Sequence, residues 1–136
     1  MHKNLIEKPC KVTRSYTQKM VANSNKVFPL LCPVKELDWV KGWPLKKVLS
    51  VSGVAEEDCV FFTSNDKSND SIWMITRHEP ENYFVEMVQI TPYKTACKLR
   101  IQLKDTGNDS CDAKITYTHV ALTEKMSTYP SSQPHD

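Results

Sequence analysis

The chain has 136 residues, is 40% hydrophobic and 25% charged, and carries a net charge of +2; that fits one domain with a self-sufficient core and excludes two. Its 18 basic residues are 15 Lys and 3 Arg, and the only adjacent pair is Lys46-Lys47. This scatter excludes the clustered basic face of a nucleic-acid binder and a field that would recruit an anionic membrane.

Residues 1–10 read as an extended arm with Pro and charge but no apolar segment of the secretory kind. Lys11 to Met20 is polar with Val12, Tyr16 and Met20 interspersed, which favours a strand. Asn23-Ser24-Asn25 then offers a helix cap, Pro29 is tolerable in a first turn, and Pro33 ends the segment. A second short helix is expected over Val34 to Val40 with Leu37 and Val40 on one face, closed by Gly42-Trp43-Pro44. Beyond Pro44 the rhythm is that of strands: Leu45–Ser52, Cys59–Asn65, Ser71–His78, Tyr83–Thr91, Thr95–Lys104 and Asp112–Thr123. Turn formers separate them at Gly53 to Asp58, Asp66 to Asp70, Glu79 to Asn82, Pro92 to Lys94 and Asp105 to Ser110. Even spacing and short loops predict an antiparallel meander. Cys97, Leu99, Ile101 and Leu103 alternate with Lys98, Arg100, Gln102 and Lys104, so one side of that strand is buried and the other wet. In the last strand Ile115, Tyr117 and His119 share a side. The tail, residues 127–136, is polar with two prolines and reads as loosely attached, leaving 11–126 as the folded domain.

Five cysteines with no Cys-x-x-Cys pair argue against a disulfide framework and against zinc, and point to a reducing cytoplasm. Val27 to Val34, the longest mostly apolar run, is too short to span a bilayer. The two Asn-Asp-Ser triplets, at Asn69 and Asn108, are read as turns. With only Gly42, Gly53 and Gly107, the chain has no Gly-rich phosphate loop, so no nucleotide cofactor is expected, and no His, Cys or carboxylate grouping has metal-ligand spacing, so no metal is expected.

One strand, two short helices and a six-strand meander is the element order of the START-like (SRPBCC, helix-grip) proteins. Val27 through Trp43 (VFPLLCPVKELDWVKGW) resembles the signature of a small bacterial and archaeal subgroup, and Cys59–Thr63, Ile72–Thr76 and Ile115–Thr118 are similar to its later strands. The resemblance covers roughly residues 12 to 123. It implies an α+β fold: a curved antiparallel sheet of about seven strands, gripping a long C-terminal helix with a ligand cavity between them. Here Thr123-Glu124-Lys125-Met126 leads straight into the Pro/Ser tail, so that long helix is expected to be shortened or missing. The inner face, with Leu99, Ile101, Ile115 and Tyr117, then needs another cover, for which a second copy of the chain is one candidate.

The expected ligand is a small apolar or amphipathic molecule. Tyr117 and His119 project from one face of a strand and are suited to polarising a carbonyl or exchanging a proton, as in a cyclase or hydratase; a packed Tyr and a hydrogen-bonded His are the plainer alternative. Glu36 and Asp38 are too poorly aligned for a paired-carboxylate mechanism, yet Glu36 is a candidate for the cavity mouth. Trp39, Trp43 and Trp73 are candidate lining residues or plain core. Arg77 shares its strand face with Trp73 and Ile75, and an inward Arg would hold a carboxylate or phosphate; its place near the strand end makes a surface location the plainer alternative. Cys32 has no base or cation beside it and is expected to be a small buried hydrophobe. A third reading is an interaction module whose open sheet face docks a partner protein.

Overall fold

The computed structural model describes residues 5–65 and 70–123. Val12, Tyr16 and Met20 place one side of Lys11–Met20 against the protein, and this segment forms β1. A single helical turn, α1 (Ser24–Val27), follows, then a 3-10 turn over Phe28–Leu30 with Pro29 at its start, and a second single turn, α2 (Glu36–Trp39). Six strands complete the chain: β2 (Leu45–Leu49), β3 (Val60–Ser64), β4 (Asp70–Glu79), β5 (Phe84–Thr91), β6 (Thr95–Gly107) and β7 (Ser110–Ala121).

The seven strands form one antiparallel sheet in the order β1-β7-β6-β5-β4-β3-β2. β2 to β7 run as a meander, and β1 pairs with β7 to complete the sheet at the far edge. The β6–β7 hairpin turns at Gly107, Asn108 and Asp109, all at positive φ. Asn and Asp visit that region more readily than bulky residues, which makes Asn108-Asp109-Ser110 a turn as read from the sequence.

Paired residues line up in rows across the inner face. One row runs Phe61, Trp73, Gln89, Cys97, His119 and Val12; the next runs Ile75, Met87, Leu99, Tyr117 and Arg14; the third runs Val85, Ile101, Ile115 and Tyr16. Val27 and Phe28 sit over one end of these rows, where Ile75, Val85, Leu103, Cys111 and Ala113 make the core. α1 is tied down from below: the Asp105 carboxylate accepts the Ser24 N–H at 2.7 Å, and the amide of Asn23 donates to Asp109 at 3.4 Å. Asn23 occupies the cap position, but its own side chain makes no capping bond.

Two local expectations change. The second helix is one turn instead of seven residues, and its inward side carries Glu36 and Val40, while Leu37 is 54% exposed. A single turn anchored through the Glu36 N–H to the Cys32 carbonyl at 2.8 Å is oriented by the preceding Pro33 segment, not by its own apolar residue. The register of β4 against β5 shifts between Ile75 and Arg77, so Thr76 is bulged and Arg77 turns to the outer face, opposite Glu86. Thr76 holds the bulge by donating to the Glu86 carbonyl and carboxylate at 3.1 and 2.8 Å.

Among the described residues no helix exceeds four residues and no long helix follows β7. The expectations for residues 124–136 and most of the 66–70 turn lie outside the described residues.

Candidate functional site

The inner face beyond Phe28 is where apolar and polar groups meet. On β6 and β7, Leu99, Ile101, Ile115 and Tyr117 are all half-buried, in contrast to Leu103 and Ala113 further along the same strands. β1 adds Tyr16. The three rings form a row: Tyr16 to Tyr117 at 6.5 Å and Tyr117 to His119 at 5.6 Å between centroids, both nearly parallel. Strand alternation alone puts Tyr117 and His119 on this side, and the Tyr16↔Ile115 register adds Tyr16 beside them. His119 is buried, and burial pushes its pKa below the ordinary value, so near neutral pH the imidazole is uncharged. A neutral imidazole beside a phenol can accept or donate one hydrogen bond without holding a fixed charge in an apolar setting.

Glu36 stands at the start of α2 on its inward side. Burial raises its pKa from 4.5 to about 7. A carboxyl that exchanges its proton near pH 7 is suited to acid or base work, and such groups concentrate at functional sites.

The tryptophans divide. Trp73 lies on the inner face, stacked on Phe61 at 5.4 Å, and its indole N–H donates to Thr63 at 3.0 Å. Trp43 is half-buried against the core and donates to the Pro33 carbonyl at 2.9 Å. Trp39 donates to the Leu30 carbonyl at 3.0 Å and leaves half its surface exposed, outside the aromatic row. Arg77 is not part of this face: it lies over the Phe84 ring at 4.5 Å and pairs with Glu79 at 2.8 Å on the outer side. Tyr16 is the residue that sequence reasoning passed over. Its signal was the Val12-Tyr16-Met20 spacing, visible but uninterpretable until β1 had a partner.

A separate hollow of about 320 Å³ lies on the β4 side of Phe28, lined by Phe28, Leu31, Cys32, Ala55 and His78. Cys32 is buried there, its sulfur accepting the Ala55 N–H at 3.2 Å. Its apolar surroundings match the reading of Cys32 as a small hydrophobe. Among the described residues no three His, Cys, Asp or Glu side chains gather as metal ligands would, no disulfide forms, and no helix is long and apolar enough to cross a membrane.

No family model matches the sequence, and no curated protein matches it either. Solved structures do match in shape. Norcoclaurine synthase from Thalictrum flavum, in complex with dopamine and hydroxybenzaldehyde, superposes with a TM-score of 0.71 at 12% identity, covering 93% of this chain and 79% of that one. Ara h 8.0201 gives 0.65 at 12% identity over 90% and 89% of the two chains. The Zhui aromatase/cyclase from Streptomyces sp. R1128 gives 0.56 at 13% identity over 83% and 70%. Likeness of this extent, with the strand order and inner face described above, establishes that the chain has the helix-grip fold, with no long C-terminal helix among the described residues.

Proposed function

We propose that this protein binds a small apolar or amphipathic molecule on the inner face of the sheet, between the Tyr16–Tyr117–His119 row and the turns α1 and α2. The observation that carries this is the half-buried apolar stretch Leu99, Ile101, Ile115 and Tyr117, adjoining a fully packed core in the same strands. Sites of this kind are mostly apolar with a few convergent polar groups. Tyr117, His119 and Glu36 supply those groups. The fold supports the reading, since one neighbour was solved in complex with dopamine and hydroxybenzaldehyde. The Val27–Trp43 segment supports a place in a small bacterial and archaeal branch of the START-like proteins, and the unbridged cysteines support a reducing cytoplasm.

The test is native mass spectrometry of the freshly purified full chain, together with titration of an environment-sensitive apolar dye. Retained mass, or dye binding that Leu99→Arg abolishes while far-UV circular dichroism stays unchanged, supports the site. Dye binding that is absent, or unaffected by Leu99→Arg, overturns it.

A catalytic reading is favoured by one pairing: a neutral imidazole stacked on a phenol, with a carboxyl that titrates near 7 on the segment facing the sheet. On this reading Tyr117 and His119 polarise a bound carbonyl and Glu36 exchanges a proton with the adjacent carbon. Tyr117→Phe then keeps dye binding and loses turnover of an aromatic or polyketide-like carbonyl compound. Unchanged turnover in that variant removes Tyr117 from the chemistry.

A further inference from the structure

The two edges of the sheet are built differently. β2 is five residues long, has a register shift between Leu45 and Lys47, and presents Lys46 and Lys47. Lys46 is also paired with Asp70 at 3.0 Å. Short length, irregularity and lysines all discourage a further strand from adding there. β1 carries Lys11 and Lys19 near its two ends but is neither short nor irregular: it is ten residues long and keeps one unbroken register against β7.

The Ala121 N–H donates to the Cys10 carbonyl at 3.0 Å, so the even-numbered residues of β1 face their backbone groups toward β7. The odd-numbered ones, Thr13, Ser15, Thr17 and Lys19, face theirs to the open side, and their side chains are exposed. Apolar residues stand beyond both ends of the strand. Leu5 and Ile6 precede it at 81% and 74% exposure, and Val21 follows it at 93%.

We propose that β1 is a self-pairing edge: two copies join β1 to β1 antiparallel about a two-fold axis, continuing one sheet across a dimer. Keeping the inner faces on one side requires even residues to meet even and odd to meet odd. A register centred on Ser15 sets Lys11 against Lys19 twice, and one centred on Arg14 sets Arg14 against itself. Like charges directly opposite each other destabilise a strand pair. Centring on Thr17 drops Val12 and Thr13 from the paired strand. The register centred on Tyr16 avoids all three. It sets Val12 against Met20, Thr13 against Lys19, Arg14 against Gln18 and Ser15 against Thr17. It satisfies the open-side backbone groups from Thr13 to Lys19 and carries the Ile6 end of one copy toward the Val21 end of the other. The aromatic row then runs through Tyr117 and Tyr16 to Tyr16 of the partner subunit. The dimer extends the inner face instead of covering it, so it stands independently of the ligand-binding reading.

The experiment is light scattering on the full-length chain across a dilution series. The wild-type chain is expected to dimerise. Thr17→Pro removes an N–H on the open side while leaving the β7 ladder intact, and is expected to abolish the dimer. Thr13→Lys places like charges opposite Lys19 of the partner subunit at two symmetric points and weakens the dimer by about tenfold. Adding Lys19→Glu to that variant restores it. A wild-type chain that stays monomeric throughout, or a dimer indifferent to both single substitutions, overturns the proposal. A dimer that Thr17→Pro abolishes but the charge pair does not affect overturns the Tyr16 register.

Discussion

The two ends of the inner face share strands yet differ in what they can do. At one end Leu103 and Ala113 are packed under Val27 and Phe28, and at the other Leu99 and Tyr117 are half-buried. β6 and β7 alternate identically through both ends, so the strands do not create the difference. The helical segment does, because Val27 and Phe28 pack over one end only, and α2 buries none of its residues. Apolar surface removed from water stabilises the fold; apolar surface left part-open is available to bind something else.

The sharpest way to break this contrast is to remove its cap. Phe28 packs against His78 at 5.4 Å and Tyr83 at 6.2 Å, and Phe28→Ala is expected to cost about 3–5 kcal/mol in urea unfolding. A paired truncation on one strand then compares the ends directly. Leu103→Ala should cost about 3 kcal/mol, whereas Leu99→Ala should cost roughly 1 kcal/mol and weaken dye binding instead. Equal costs would mean that the two ends are packed alike.

Glu36 gives a titration. Its folded pKa, about 7, lies above the 4.5 of the exposed group, so between those values the folded chain binds more protons than the unfolded one. Stability therefore falls as pH rises through that window. Glu36→Gln should flatten the slope and stabilise the protein above pH 7 by about 2 kcal/mol, a figure discounted for partial exposure. His119 and His78 run the other way: burial lowers both pKa values from 6.5, and below that value the unfolded chain binds more protons, so stability falls with acid. Thermal melts of the wild type and of Glu36→Gln across pH check both signs: the variant should keep the fall in acid due to the histidines and lose the decline in stability between pH 4.5 and 7.

The smallest expected effect is at Arg77. Its contacts to Phe84 and Glu79 are on the outer face, so Arg77→Ala should cost no more than about 0.5–1 kcal/mol and leave dye binding unchanged. Loss of binding in that variant would put the bulge, and the face to which it assigns Arg77, in question.

The element order, the alternation of β6 and β7, and the shared side of Tyr117 and His119 were legible because turn formers and period-two burial are written in consecutive residues and need no distant partner. β1 was placed at Lys11–Met20 from the strand preference of its Thr, Tyr and Val residues. Arg77 could not be placed that way. Its parity with Ile75 holds only in a regular strand, and the extra residue at Thr76 is defined by what β5 offers opposite it. Leu37 and Glu36 changed places for a related reason: one helical turn has too few residues for its own amphipathicity to orient it, so the Cys32–Pro33 connection sets which side faces in. Residue type and spacing were enough to name the elements and the buried side of β6 and β7. Which side of α2 faces in, which face of β4 carries Arg77 and which ring stands beside Tyr117 depended on register and chain connection, which exist only once separate segments meet.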